Sequence, residues 1–310
     1  MNLVLQKMVM TGFFMCMYQN RSKNFNNIKN QTKMKKSILT GQAIKAYDDS
    51  ALEKLEWKLA VQARTFRLFT IKETLDKLNE LGIKYIELYP GQRIGAGIEG
   101  TTAYDADEKT RDKIKELLDK KGIKAINYGM VQGNTEEQWN QIFTFARDMG
   151  IETIVSEPMA KFMDHIEMLC DKYDIRFAIH NHPKPTRYWH PVIVASVIAA
   201  RSNRIGVCGD IGHWVRSGLN PVECVSQLQE KFISFQLKDL NNFGVRAAHD
   251  VPWGVGNSNV AGVMHELRRQ GFKGSFSIEY EHNWENSMPE IAESIAYFYR
   301  VAHWLVSLDK

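Results

Sequence analysis

The stretch PVIVASVIAARSNRIGVCGDIGHW, residues 191–214, combines the two features that decide the fold. Residues 191–203 predict a helix, and the apolar run 205–208 after them predicts a buried strand. This strand ends in the carboxylate of Asp210, with the imidazole of His213 three residues later. The carboxylate either caps a turn or holds a metal ion, and the rest of the chain has to decide between the two.

The same succession of helix, turn and strand recurs along most of the chain. A first strand is predicted in residues 57–63, and a last helix in residues 288–305. Between them, helices are predicted at 71–82, 108–122, 135–150, 161–174, 191–203, 221–231 and 260–274, each followed by a short β-rich run. Hydrophobic strands that alternate with helices are typical of parallel strands covered on the outside. Eight of them predict an α/β fold, a (β/α)₈ TIM barrel, as a single catalytic domain in residues 57–310.

The alternative architecture is a doubly wound open sheet. Such a sheet carries a glycine-rich phosphate-binding turn after an early strand, directly before a helix. Gly91, Gly95 and Gly97 follow the second predicted strand, but no helix begins at once after them. The barrel is therefore favoured.

The basic charge of the chain is concentrated near its start. Residues 1–46 contain eight Lys or Arg and no acidic residue, which leaves 32 basic and 36 acidic residues in the remainder. A mildly acidic body argues against a nucleic-acid partner, and the absence of an apolar run of about 18 residues argues against a membrane span. Residues 1–56 are interpreted as a leader that is partly disordered or targeting-like, with cytoplasmic and exported locations both open.

Side chains suited to metal binding follow four of the predicted strands. They are Glu157, Asp210, Gln236 and Glu279, at the ends of the fourth, sixth, seventh and eighth strands. The carboxyl ends of barrel strands meet at one mouth, where the chemistry of TIM barrels takes place. Oxygen ligands suit Mn²⁺, Mg²⁺ or Co²⁺, and a divalent ion would hold together carboxylates that otherwise repel one another. These four residues are predicted to be the ligands.

Four further residues are predicted to bind the substrate: His182, His213, Lys238 and His249. His180 and His182 alternate along the fifth strand, so only one of them is expected to face the mouth, and we favour His182. His249 lies in the glycine-containing loop AAHDVPWGVGN. Each candidate also has a purely structural interpretation, such as a turn cap for Asp210, but their equivalent positions at several strand ends favour a site.

These motifs resemble the xylose isomerase-like TIM-barrel superfamily. The resemblance covers residues 57–302 and is to its sugar (phosphate) isomerase/epimerase branch, close to sugar isomerase/epimerase-like proteins of Bacteroidetes. It is carried by SEP with Glu157, GDIGH with Asp210, LKD after Gln236, PWGVG at 252–256, and IEYE with Glu279. It implies one divalent ion, Mn²⁺ before Mg²⁺ or Co²⁺, bound by Glu, Asp, His and Glu. This chain departs from that set because Gln236 stands where the branch has the histidine.

The resemblance implies a metal-dependent isomerase or epimerase that removes a proton next to the carbonyl of a sugar or keto-sugar and forms an enediolate. Glu157 and Glu279 are the expected base and acid, and the ion is the expected Lewis acid. The alternatives are a lyase or dehydratase, a keto-glycoside-cleaving enzyme on the same scaffold, and a non-catalytic sugar-binding barrel with a decayed metal site. The expected partner is a small carbohydrate, and a homo-oligomer is compatible with the resemblance.

Overall fold

Eight parallel strands form a closed barrel in the computed structural model, which describes residues 47–308. The strands are β1 Trp57–Gln62, β2 Tyr85–Leu88, β3 Lys124–Tyr128, β4 Thr153–Ser156, β5 Arg176–His180, β6 Ile205–Asp210, β7 Phe232–Leu237 and β8 Gly274–Ile278. They follow one another around the barrel in chain order, and β8 pairs with β1 from Trp57 opposite Gly274 onward. The predicted barrel is therefore confirmed, and each of its strands lies where the sequence predicts one.

Helices connect the strands around the outside of the barrel. They are α1 Ser50–Leu55, α2 Ile71–Glu80, α3 Glu108–Lys121, α4 Glu136–Asp148, α5 Met163–Tyr173, α6 Pro191–Ile198, α7 Ile211–Arg216, α8 Pro221–Gln227, α9 Val260–Arg269 and α10 Met288–Ser307. Helix α1 lies within the last ten residues of the predicted leader, while residues 1–46 are outside the described part of the chain. None of the helices described in residues 47–308 is long and apolar enough to span a membrane.

The glycines after the second strand form a hairpin. Short strands Arg93–Gly95 and Ile98–Thr101 pair antiparallel, and Gly95 and Gly97 adopt φ values of +83° and +73°. A Cβ atom on Gly95 would lie 2.5 Å from Oγ1 of Thr70, the residue that caps α2. These glycines are thus explained by the turn and by close packing, and the phosphate-binding turn of an open sheet is not formed.

The core has an apolar layer outside the barrel and a polar region inside it. Between barrel and helices, the ring of Phe177 on β5 packs 5.7 Å from Trp139 and 6.5 Å from Phe143, both on α4. Inside the barrel, several polar side chains are fully buried and bonded to one another; these are Glu87, Asn127, Gln236 and Ser277. Because buried polar groups are costly unless paired, this interior network fixes the positions of the groups at the mouth above it.

Candidate active site at the carboxyl ends of the strands

Asp210 both caps a helix and binds a cation. It is the last residue of β6 and the N-cap of α7, and its Oδ1 accepts a hydrogen bond from the backbone N–H of His213 at 2.8 Å. Its Oδ2 accepts from Nζ of Lys238, also at 2.8 Å. The amide side chain of Asn181 holds the backbone of Asp210 through two hydrogen bonds of 2.9 Å. Asp210 therefore caps α7 with one carboxylate oxygen and pairs with the ammonium group of Lys238 through the other.

Lys238 is the centre of a buried ion-pair cluster. Besides Asp210, its Nζ lies 2.8 Å from Oε2 of Glu279 and 3.1 Å from Oε2 of Glu281. Burial opposes the charged form, but the surrounding carboxylates outweigh this effect and raise the pKa of Lys238 well above its ordinary value. The side chain is 1% exposed. At neutral pH it is therefore a fixed positive charge and not an amine nucleophile.

Gln236 uses both ends of its amide inside the barrel. Its Oε1 lies 2.8 Å from Nε2 of His180, and its Nε2 donates to Oε1 of Glu87 at 2.7 Å. Because a carbonyl oxygen only accepts, Nε2 of His180 carries a proton in this pair. Glu87 is fully buried, and burial raises its pKa to about 7. Glu87 is not among the residues predicted from the sequence, although it is a lone carboxylate within the apolar strand YIEL.

His180, the last residue of β5, and His182, two residues after it, both reach the mouth. Oε1 of Glu157 accepts from the backbone N–H of His182 at 2.8 Å and lies 2.9 Å from its Nδ1. The ring of His180 lies 4.7 Å from that of His182, and Nδ1 of His180 is 3.8 Å from Oε1 of Glu157. The prediction that only one of the two would face the mouth is wrong, because β5 ends at His180 and the alternation of a strand ends with it.

Most of the predicted site residues lie in one connected cluster. The ring of His182 stacks on that of His213 at 4.9 Å, which joins Glu157 to the cluster around Asp210. The exposed ring of His249 is at the edge of this cluster, since it stacks on His282 at 4.2 Å and its Nδ1 lies 3.0 Å from the backbone carbonyl oxygen of Asp250. The cluster also includes groups that the sequence analysis did not select, among them His180, Arg216, Asp250 and Glu281.

The environments of Glu157 and Glu279 differ. Burial opposes ionisation of Glu157, but His180 and His182 outweigh it and lower its pKa to about 2. Burial raises the pKa of Glu279; the positive charge of Lys238 acts against this rise, and the neighbouring carboxylate of Glu281 adds to it. Two carboxyl groups at one mouth whose pKa values move apart are suited to act as base and acid.

Two groups of side chains at the mouth could hold a metal ion. They are Glu157 with His180 and His182, and His180 with Asp210 and His213, each with potential ligand atoms within 4.8 Å of one another. Nδ1 of His180 is buried without a hydrogen-bond partner among residues 47–308, so it is a donor atom that an ion would satisfy. The donors of the first group therefore fit a divalent ion, whereas in the second group Oδ2 of Asp210 already contacts the ammonium group of Lys238 at 2.8 Å.

The four predicted ligands are not gathered around one point. Glu157, Asp210 and Glu279 do not form a group of this kind in residues 47–308, since the carboxylate of Glu279 pairs with Lys238. The amide of Gln236 is already bonded at both ends. Gln236 and Glu279 thus do not fit an ion in this arrangement, whereas Glu157, His180 and His182 do.

A separate cavity of about 490 Å³ opens at the amino ends of the strands. Several of the charges along it are paired, with Lys58 Nζ 2.7 Å from Oε2 of Glu152 and Lys84 Nζ 2.6 Å from Oδ2 of Asp49. Residues at this face of a TIM barrel contribute to stability, while catalytic residues lie at the opposite face. We therefore place the candidate active site at the carboxyl ends of the strands.

The low pKa of Glu157 predicts an acid-dependent loss of stability. Its folded-state pKa of about 2 lies below the ordinary 4.5, so its contribution is present above pH 4.5 and is lost as the pH falls toward 2. The contribution amounts to about 3 kcal/mol. Urea unfolding at pH 7 and pH 3 should show a smaller acid-induced loss for Glu157→Gln than for the wild type. Equal losses in the two proteins would contradict the assignment of a low pKa to Glu157.

Comparisons with known proteins agree with this architecture. Residues 75–301 match the family described as xylose isomerase-like TIM barrel. The chain is 35% identical to an uncharacterized protein from Parabacteroides distasonis, with 78% of this chain and 98% of that chain covered and a TM-score of 0.65. A search of curated proteins gives no match.

Two less similar solved structures share the fold. A D-tagatose 3-epimerase-like protein is 19% identical, with 80% of this chain and 99% of that chain covered and a TM-score of 0.62. A probable 3-DHS dehydratase from Bacillus anthracis is 15% identical, with 77% and 98% covered and a TM-score of 0.59. The chain belongs to the xylose isomerase-like TIM-barrel family, and the predicted resemblance is confirmed.

Proposed function

We propose that this protein is an isomerase or epimerase that acts on a sugar or keto-sugar by removing a proton next to its carbonyl group. The observation that carries the proposal is the position of Glu157 and Glu279 at the same mouth in different surroundings, Glu157 bonded to His182 and Glu279 to Lys238. Their pKa values, moved in opposite directions, agree with the roles of base and acid. A structural relative described as D-tagatose 3-epimerase-like supports this reaction class.

Glu157 is the base of the proposed reaction. Its carboxylate is ionised, and both hydrogen bonds from His182 go to Oε1, so Oε2 would be the oxygen that meets the substrate. Oε2 would take the proton from the carbon beside the carbonyl, and the C–H electron pair would pass into the enediolate. Glu279, with its raised pKa, would return a proton to the carbon at which the product is formed.

The imidazoles of His182 and His213 would orient the substrate by hydrogen bonds in the absence of an ion. With an ion bound, Nε2 of His182 would be a ligand, because Nδ1 is bonded to Glu157, and His213 would orient the substrate. About 40% of the His182 side chain is exposed, so a substrate at the mouth can reach its ring. His213 is buried, and this burial lowers its pKa well below the ordinary value, so its ring is neutral. A neutral imidazole can both donate to and accept from sugar hydroxyl groups.

A divalent ion in this site would be held by Glu157, His180 and His182. When bound, it would supply Lewis-acid polarisation of the substrate carbonyl. Manganese is the ion that the sequence predicts. The imidazole donors found here also suit cobalt and zinc, so we propose a divalent ion of this series with Mn²⁺ as the first to be tested.

A lyase or dehydratase is the second candidate. Removal of the same proton by Glu157, followed by loss of a hydroxide or alkoxide from the next carbon, would give elimination instead of epimerisation. The similarity to a structure described as a probable 3-DHS dehydratase favours this candidate over a non-catalytic barrel. Both candidate reactions take a small carbohydrate as the partner of the site.

Solvent isotope exchange tests the proposed proton removal before the product is known. The protein would be incubated in D₂O with a panel of ketoses and keto-glycosides, with and without Mn²⁺, and followed by proton NMR. We expect loss of the proton signal at the carbon next to the carbonyl, with an epimer as product. An unsaturated product would instead support the lyase. If none of the substrates exchanged, the proposal of proton-abstraction chemistry would be rejected.

A further inference from the structure

Lys238 occupies the place among the carboxylates that a metal ion would need. Its ammonium group contacts oxygens of Asp210 and Glu279, both of which were predicted to be metal ligands, at 2.8 Å each. Glu281 supplies a third oxygen at 3.1 Å. Carboxylates brought this close need a positive charge between them, and the chain supplies that charge itself.

Neighbouring groups strengthen this arrangement. Nζ of Lys238 lies 3.4 Å from Nε2 of His213, which is the third member of the second possible metal group. Arg216 approaches the same cluster, with Nη1 3.5 Å from Oε2 of Glu281. A divalent ion at Asp210 would therefore face a fixed ammonium group at hydrogen-bond distance from its own ligand oxygen, which is strongly repulsive in a buried site.

We propose that Lys238 is a built-in cation that replaces a metal ion at Asp210 and Glu279. It acts as a positioning residue that holds the carboxylates of Asp210, Glu279 and Glu281 together. The inference concerns only this side of the mouth, and an ion held by Glu157, His180 and His182 would be bound independently of it. It does not depend on the reaction proposed above.

Removal of Lys238 should create a metal site that the wild type does not have. Lys238→Met leaves the three carboxylates without their cation, so this variant should bind one equivalent of Mn²⁺ more than the wild type in a titration followed by electron paramagnetic resonance. At Mn²⁺ concentrations of about 100 times the dissociation constant, its Tm should rise by about 5 °C relative to the metal-free variant. The readout is metal binding, so it is independent of turnover.

Two further variants make the test decisive. The double variant with Lys238→Met and Glu281→Gln has one fewer carboxylate without a cation. It is used for the Mn²⁺ titration if the single variant does not fold. Lys58→Met removes a lysine that pairs with Glu152 at the opposite end of the barrel, and it should show no additional Mn²⁺. The proposal would be overturned if folded Lys238 variants bound no more Mn²⁺ than the wild type. It would also be overturned if the wild type bound an equivalent that Glu279→Gln loses.

Discussion

Replacing Glu157 by glutamine is expected to lower kcat by about 10²–10⁴-fold, the usual contribution of a general base. The amide preserves the size of the side chain, and its oxygen can still accept from the backbone N–H of His182, as Oε1 of Glu157 does at 2.8 Å. It cannot accept the proton of a substrate carbon. The measurement is the initial rate on whichever substrate shows deuterium exchange, over a range of concentrations that separates kcat from KM.

Glu152→Gln is the matched control for this prediction. Glu152 pairs with Lys58 and Lys124 at the amino ends of the strands, away from the candidate active site. Its replacement by glutamine should leave kcat within about twofold, since surface ion pairs contribute little. A Glu157→Gln variant that kept the wild-type kcat while remaining folded would show that another group is the base.

The barrel could be predicted from the sequence because each helix–turn–strand unit contains the local signals that define its own secondary structure. The helix in residues 108–122 is an example, since Asp107 caps its start and Gly122, with φ +61°, ends it. Such local signals repeat along the chain, and parallel strands between helices have few other ways to bury both faces. The closed order of the eight strands then follows from the number of units.

The candidate site could be predicted only as a set of strand ends. The location of Glu157, Asp210 and Glu279 at strand ends correctly predicted that they lie at the same mouth, because this depends only on the closure of the barrel. It could not show which carboxylate pairs with which cation, because Lys238 follows β7 and reaches Asp210 at the end of the neighbouring strand β6 through a long side chain. The prediction that only one of His180 and His182 faces the mouth also failed, because side chains alternate between the two faces only as far as the strand continues.

The role of Gln236 shows the same limit. A carboxamide at a strand end resembled a weak metal ligand in the sequence, yet its partners are His180 and Glu87. Glu87 lies on β2, 149 residues away along the chain, and its inward orientation depends on the closure of the barrel. Contacts of this kind are set by the tertiary structure, so the sequence could suggest the group but not its function.

Replacing Asp210 by alanine is expected to lower the free energy of unfolding by about 3–5 kcal/mol, because it breaks a buried ion pair and removes a helix cap. The ammonium of Lys238 would lose one of its carboxylate contacts, and the backbone N–H of His213 would lose its acceptor. The measurement is urea unfolding at pH 7 with the slope of the transition compared between proteins.

Asp210→Asn and Asp107→Ala separate the two contributions. Asparagine keeps an oxygen that can cap α7 but removes the charge that pairs with Lys238, so it should recover only about 1 kcal/mol of the loss. Asp107 caps α3 at an exposed position through a 2.8 Å bond to the backbone N–H of Thr110, so its alanine variant measures the loss of a cap alone. If Asp210→Ala cost no more than Asp107→Ala, the buried contact with Lys238 would contribute nothing to stability, and the description of this lysine as the cation that holds the site together would have to be abandoned.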